Sequence, residues 1–242
     1  MNRPYIDDKL VHFGFSLGLD LMSYSVGETL EPVSGMLPDA GDGTFTDLVL
    51  HPRVSTVSPT FAVGLIVDFR LNKYLNLRFT PELHLPTNRT ISYRFDKDAV
   101  SDKGESLEKK LVKTDVMSMP ISVPLLLKWS ADRESNYRPY IVAGAGLNFV
   151  PYTDKTQYVN QDWWDGFIQV GMGCDFYFSW FKLCPEIKYQ MGLRNILVPL
   201  AKTTEDMEKK NMHGGIDSNN WYYTDAISRL RSHMISIVFN FE

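Results

Sequence analysis

Apolar and polar residues alternate in eight separate stretches of this chain. The last stretch is the clearest, because Ile235, Ile237, Phe239 and Phe241 share one face and the residues between them form the other. Side chains point alternately to the two sides of a β-strand, so a period of two predicts two-faced strands and not amphipathic helices. The predicted strands lie within residues 10–24, 61–69, 75–85, 117–129, 138–149, 168–178, 183–194 and 226–242.

Two regularities of these stretches predict a transmembrane β-barrel. Their apolar faces last about nine to eleven residues, the length that a tilted strand needs to cross the hydrocarbon layer. Long and short connections alternate along the chain, as in outer-membrane barrels, which have short periplasmic turns and long extracellular loops. A soluble sandwich has no reason to keep that alternation. The long connections are residues 25–59, 96–113, 151–162 and 195–225.

The expected fold is therefore all-β: one eight-stranded antiparallel outer-membrane barrel, residues 10–242, preceded by a periplasmic segment, residues 1–9. Both ends of the chain are expected in the periplasm. The third stretch continues in an apolar pattern through Phe95, which predicts a strand that extends beyond the membrane. The fourth carries Pro120 and Pro124, whose missing N–H groups predict an edge, a bulge or a local break.

Composition narrows the class further. The chain has no run of about 18 apolar residues, so a transmembrane helix is not expected. A net charge of −4 without a basic stripe argues against nucleic acid as a partner. The first nine residues lack an apolar signal core, so an exported protein would begin here after its signal was removed. Alternation places Cys174 and Cys184 on opposite faces of neighbouring strands, which predicts free thiols unless a bulge intervenes.

Charged residues on the predicted inner face suggest either a salt-bridged plug or a functional path, which would be a selective pore or a proton path. Eight strands enclose a space that side chains just fill, and buried charges must be paired, so we expect a plug. Asp175 with Lys188, and Glu82 with Arg78, are two expected pairs. The ten predicted plug residues are Asp20, Asp68, Arg78, Glu82, Lys128, Arg138, Asp175, Glu186, Lys188 and Arg194.

Catalytic chemistry has little support in the sequence. Some small outer-membrane barrels are lipid-acting enzymes or proteases that use His with Ser or Asp near the extracellular rim. His51 and His213 do fall in predicted extracellular loops, with such residues nearby. No nucleophile motif surrounds them, and neither a metal site nor a cofactor is expected.

Blocks along almost the whole chain resemble the PorT family of the type IX secretion and gliding machinery. The resemblance lies in residues 12–24, 70–85, 124–146, 173–199 and 225–242, which include HFGFSLGLDLMSY and DAISRLRSHMISIVFNFE. It implies an integral outer-membrane barrel, needed for export of cargo with a C-terminal sorting domain, that binds other type IX secretion subunits and is surrounded by outer-membrane lipid. No catalytic or ligand residues accompany it. The alternative is an autonomous barrel that acts as a lipid-modifying enzyme or a narrow pore.

Overall fold

A computed structural model describes residues 9–36, 44–54, 57–151, 159–199 and 222–242 of the chain. Fourteen strands and a one-turn helix, Tyr222–Asp225, account for most of these residues. The strands are β1 (Val11–Glu28), β2 (Val33–Met36), β3 (Thr44–Leu48), β4 (Leu50–Val54), β5 (Ser58–Arg70), β6 (Leu75–Phe79), β7 (Glu82–His84), β8 (Thr87–Phe95), β9 (Leu111–Ser118), β10 (Ile121–Ser130), β11 (Tyr137–Phe149), β12 (Trp164–Tyr177), β13 (Lys182–Gly192) and β14 (Ile227–Phe241). No described helix is long and apolar enough to cross a membrane.

Eight antiparallel crossings close into one ring. The order is β1, β5, β6 with β7, β10, β11, β12, β13 and β14, and β14 pairs again with β1. The first and last crossings meet in a continuous register, in which Phe15 lies opposite both Leu65 and Phe241. Strands β6 and β7 are two halves of one crossing, because the chain breaks the ladder at Thr80 and Pro81. The predicted eight-stranded antiparallel barrel is confirmed.

Alternation divides the barrel wall into two faces, as expected. Outward side chains such as Ile141, Met172 and Ile187 are apolar and at least half exposed. Inward positions carry the buried polar and charged groups. The inner face is crowded: a Cβ added at Gly173 would lie 2.5 Å from the hydroxyl oxygen of Tyr140, so glycine is required for that ring to lie against β12.

Three local expectations can be compared with the wall. The chain breaks between β9 and β10 at Met119–Pro120, whereas Pro124 lies inside β10. Cys174 and Cys184 are both free thiols, Cys174 half-buried and Cys184 buried. The register places Gly173 opposite Glu186 and Phe176 opposite Leu183, so no bulge separates the two cysteines and the prediction of free thiols is confirmed.

The connections at one end of the barrel fold into a separate packed body, which we call the cap. Its frame is the three-stranded sheet β4–β8–β9 together with the β2–β3 hairpin. The continuation of the third stretch through Phe95 is confirmed, but as a new strand after a break at Leu85–Pro86. The buried core of the cap includes Tyr24, Phe45, Leu50, Ile91, Tyr93, Phe95, Leu107, Val112, Val116, Val159, Ile196, Tyr222, Tyr223 and Leu230.

The opposite end of the barrel has short turns, residues 71–74, 131–136 and 178–181. We call it the short-turn end, and the end below the cap the long-loop end. The sequence pattern predicts loops for the long connections. That prediction omits the short strands β2, β3 and β4, which lie within residues 25–59. His213 and residues 1–8 lie outside the described residues, so what the sequence predicts for them remains a prediction.

Candidate functional site

The lumen of the barrel contains its densest polar cluster, centred on Arg78. Arg78 lies on β6 opposite Asp68 of β5, and its Nη2 and Nε atoms lie 2.8 and 3.2 Å from the two carboxylate oxygens of Asp68. Arg78 Nη1 donates to Glu186 Oε2 and Arg78 Nη2 donates to Glu242 Oε1, both at 3.0 Å. The planar guanidinium thus serves three carboxylates from three different crossings, which a lysine could not do.

Two lysines complete this cluster. Lys128 Nζ donates to both oxygens of Asp175 at 2.8 Å, and Lys182 Nζ lies 2.5 Å from Glu242 Oε2. Tyr140 donates its hydroxyl to Glu186 Oε2 at 2.8 Å, and Lys128 Nζ lies 3.9 Å from the centre of the Tyr140 ring. We call this group the basal ion cluster; its members are Asp68, Arg78, Lys128, Asp175, Lys182, Glu186 and Glu242, and their side chains are at most 4% exposed.

Two further polar levels lie along the lumen. Lys188 Nζ lies 2.6 Å from Glu82 Oε1, and both side chains are almost fully buried. Beside them, His84 Nδ1 lies 2.6 Å from Asp20 Oδ2 and His84 Nε2 lies 2.8 Å from Ser122 Oγ. Each charged or imidazole group therefore has a partner across the lumen, as buried polar groups require.

Towards the cap, the polar side chains of the lumen that the structure describes are no longer joined in carboxylate ion pairs. Arg89 stacks over the Tyr24 ring, with its guanidinium carbon 3.8 Å from the ring centre, and donates to Ser232 Oγ at 3.2 Å. The side-chain amide of Gln169 has no hydrogen-bond partner among the described residues. A cavity of about 20 Å³ lies between Ser122, Asn148 and Gln190 among others, a size that suits one water molecule.

The chain of Asp20, His84 and Ser122 has the order of groups found in serine hydrolases. In those enzymes the serine hydroxyl gives its proton to the imidazole. Here Ser122 Oγ donates to Asn148 Oδ1 at 2.7 Å, and all three side chains are buried inside the barrel wall. The arrangement therefore works as a hydrogen-bond chain that joins β1, β7, β10 and β11. Among the described residues, no group of His, Cys, Asp and Glu is placed to hold a metal ion.

Eight of the ten residues predicted for the plug lie buried in the lumen: Asp20, Asp68, Arg78, Glu82, Lys128, Asp175, Glu186 and Lys188. The expectation was wrong for Arg138 and Arg194. Arg138 lies at the short-turn end, where it donates to the carbonyl oxygens of Ala131 and Lys73. Arg194 lies at the long-loop end, half-buried, and pairs with Asp162 at 3.0 Å. Alternation assigns a face but not a depth, and both residues stand at a rim.

The expected pairs also differ. Asp175 pairs with Lys128 and not with Lys188, while Glu82 pairs with Lys188 and not with Arg78. Glu82 and Arg78 lie four residues apart on one crossing, about 13 Å along a strand, which is too far for an ion pair. The real pairs reach across the lumen between strands that are not neighbours.

The ten predicted plug residues leave out Lys182, His84 and Glu242, which also lie buried in the lumen. A signal was present for each, since Lys182 continues the even-numbered inner face of Glu186 and Lys188. His84 likewise follows Glu82 on the same face.

Aromatic side chains mark both edges of the outward apolar band. Trp129 and Trp180 are 61% and 91% exposed near the short-turn end. Near the other end the Trp163 ring stacks on Phe149 at a centroid distance of 6.1 Å, and Trp164 lies under the Arg194 guanidinium at 4.1 Å. Two aromatic girdles around an apolar band are the outer surface of a transmembrane barrel.

Solved structures that resemble this chain are small outer-membrane proteins. Neisserial surface protein A is 13% identical, with 96% of this chain and 98% of that chain covered and a TM-score of 0.40. The outer membrane protein OprG from Pseudomonas aeruginosa is 10% identical, with coverages of 94% and 93% and a TM-score of 0.42. The outer membrane protein AlkL in lipid bilayers is 13% identical, with coverages of 100% and 96% and a TM-score of 0.37.

A search of the curated proteins by sequence found no match. The family model of the outer membrane protein beta-barrel domain matches residues 7–198, which is most of the chain and includes seven of the eight crossings. Together with the closed ring, the apolar outer band and the polar lumen, this match assigns the chain: it belongs to the outer membrane protein beta-barrel domain family and is a protein of the bacterial outer membrane.

Proposed function

We propose that this barrel is a non-enzymatic, integral component of the type IX protein secretion system, needed for export of cargo with C-terminal sorting domains. It would act by binding other subunits of that system. The observation that carries the proposal is the filled lumen, because it leaves the outer surfaces of the molecule as the places where function can lie. The resemblance of five sequence blocks to the PorT family supports the choice of system.

The filled lumen argues against passage of cargo through this chain. The basal ion cluster brings three cations and four carboxylates together at the short-turn end, and the Lys188–Glu82 pair adds a second closed level. Opening this path would separate buried ion pairs and leave charges without partners, which costs several kcal/mol for each pair, on the order of 3–5. Barrels with an aqueous channel have about sixteen strands or more.

The cap supports a role as a binding surface. Its buried aromatic and aliphatic core holds strands β4, β8 and β9 in place, so it is a shaped surface and not a set of solvated loops. Tyr93 donates its hydroxyl to the carbonyl oxygen of Tyr223 at 2.8 Å, which fixes the one-turn helix against β8. A rigid surface loses little conformational entropy when a partner binds.

The test is purification of the tagged chain from native outer membranes, followed by identification of co-purifying proteins. Recovery of type IX translocon subunits is expected, whereas an unrelated eight-stranded barrel with the same tag should recover none. Replacing turn 131–136 by a two-residue turn, or deleting residues 200–221, should reduce that recovery and the export of cargo. Heat-dependent gel mobility would check that each variant barrel still folds. Recovery of the same proteins by both barrels would contradict the proposal.

The second candidate is the autonomous barrel, as an enzyme or a narrow pore. The Asp20–His84–Ser122 chain favours an enzyme, although the hydroxyl proton of Ser122 is directed at Asn148. A fluorophosphonate probe should not label the folded protein, and Ser122→Ala should change stability only. Labelling that is lost in Ser122→Ala would support the enzyme. A stable conductance of the purified protein in planar bilayers would support the pore.

A further inference from the structure

Two arginines and a histidine form a row on the outer wall of β14, at the long-loop end. Arg229, Arg231 and His233 occupy alternate positions of one strand, and the neighbouring inward positions Leu230 and Met234 are buried. We call Arg229, Arg231 and His233 the β14 basic row. Residues two apart on a strand are about 6.6 Å from one another, so the two arginines can reach the same small anionic group.

The surroundings of the basic row leave it partly accessible, with Arg229 exposed and Arg231 and His233 half-buried. Across the β1–β14 ladder it faces residues with small side chains, since Gly27 lies opposite Arg229, Ser25 opposite Arg231 and Ser23 opposite His233. On the other side, His233 Nδ1 lies 2.9 Å from the hydroxyl oxygen of Tyr189. The small side chains on β1 therefore leave space beside the row, and the Tyr189 hydroxyl lies at its end nearer the apolar band.

The arginines of the row differ from Arg78 of the lumen in forming no direct ion pair within the described residues, although the Asp165 carboxylate interacts with Arg231 at longer range. Within the described residues, no Asp or Glu lies within ion-pair distance of Arg229 or Arg231, whereas Arg78 has three such partners. The Nε atom of Arg231 is buried and has no acceptor in the described part of the chain. The Arg229 side chain is exposed and has no ion-pair partner within the described residues, so it is suited to an external anion.

The height of the row on the wall indicates where that anion comes from. Directly below it, β14 presents Ile235, Ile237 and Phe239 outward, each between 41% and 47% exposed, and these belong to the apolar band. The basic row thus begins where the hydrocarbon layer ends, at the level of the lipid headgroups. At that level an outward arginine costs about 0–1 kcal/mol, against roughly 2–4 at the midplane.

We infer that the β14 basic row binds the phosphate groups of a membrane lipid in the leaflet on the long-loop side. The two guanidinium groups would hold the phosphate oxygens by paired N–H···O hydrogen bonds, a geometry that arginine matches and lysine does not. The neighbouring aliphatic side chains on β14 would contact the acyl chains. This site is independent of the proposed role in secretion, because it requires lipid and no protein partner.

The experiment uses the whole chain, purified in a nonionic detergent, and counts bound lipids by native mass spectrometry. The probes are diphosphorylated lipid A, the same lipid without its phosphates, and inorganic phosphate as a competitor. The test variant is Arg229→Gln with Arg231→Gln. The matched control is Arg53→Gln, since Arg53 is an exposed arginine of β4, which belongs to the cap and not to the barrel ring. Heat-dependent gel mobility would confirm that all three proteins fold.

The expected result is retention of diphosphorylated lipid A by the natural chain and by Arg53→Gln. The double variant should lose at least about tenfold in apparent affinity, because a hydrogen bond to a charged group contributes roughly that factor. Equal binding of the lipid without phosphates, or equal binding by the double variant, would overturn the inference. Displacement of the lipid by millimolar inorganic phosphate would also overturn the assignment to lipid, because it would show a site for free phosphate. Equal losses in both variants would show unspecific charge attraction and overturn it too.

Discussion

Removal of Lys188 tests whether the lumen is held by paired charges. Lys188 Nζ lies 2.6 Å from Glu82 Oε1, so Lys188→Met would leave the Glu82 carboxylate buried without its partner. At that distance and an effective dielectric constant of about 20, the direct attraction is about 6 kcal/mol. Desolvation of both groups offsets part of it, so we expect the single change to cost about 3–5 kcal/mol.

A double-mutant cycle separates the pair from its surroundings. Glu82→Gln with Lys188→Met removes both charges together, and we expect it to be less destabilised than the sum of the two single variants by at least about 2 kcal/mol. The assay is urea unfolding of the barrel in lipid vesicles, followed by heat-dependent gel mobility. A matched change at the rim, Arg138→Gln, should cost less than Lys188→Met, because its partly exposed side chain donates to backbone carbonyl oxygens and its loss leaves no buried charge without a partner. Additive effects at Glu82 and Lys188 would refute the reasoning.

Three further predictions concern the cysteines, the cap and the orientation of the barrel. Without reductant, alkylation in denaturant should modify both cysteines, and a membrane-permeant maleimide should label Cys174 before Cys184 in the folded barrel, since Cys184 is buried; the absence of any modified thiol, which a disulfide would give, would contradict this. Hydrogen bonds to Glu28 and Asp96 raise the pKa of His51 above its ordinary value, so this contact stabilises the cap fully below about pH 6.5 and weakens as pH rises through the raised pKa. Hydrogen exchange of β4 should therefore slow from pH 8 to pH 5.5 after correction for intrinsic rates, and His51→Gln should lose that difference; a persistent difference would refute it. Protease treatment of intact cells should cut only within residues 25–59, 96–113, 151–162 and 195–225, and a cut within 131–136 would contradict the orientation.

The barrel could be predicted from the sequence because its two determinants are local. A period of two is visible in any eight residues, and the thickness of the hydrocarbon layer sets one length for every crossing. The cap could not be predicted in this way. Strands β2, β3 and β4 have four or five residues each, and the core that joins them draws single residues from distant segments, such as Phe45 and Tyr222.

The lumen shows the same division between local and distant information. The alternation of side chains along each strand assigned Asp20, Glu82, Lys188 and most of the other charged residues to the inner face. Their ion-pair partners depend on the stagger of the strands and on which side chains meet across the barrel. The sequence of a single strand determines neither. The basic row was missed for a different reason: Arg229 and Arg231 acquire meaning only when the apolar band below them fixes their depth in the membrane.

The arrangement of ion pairs around the ring has a consequence for the order of assembly. Asp68 and Arg78 face each other within one hairpin, so this pair can form as soon as β5 and β6 meet. Glu82 and Lys188 come from crossings far apart in the chain and meet only when the sheet has curved round. A half-inserted sheet would therefore expose unpaired charge to the bilayer, and each missing crossing would raise its free energy. Such a barrel should enter the membrane as an all-or-none event, in which the step that closes the ring also neutralises its interior.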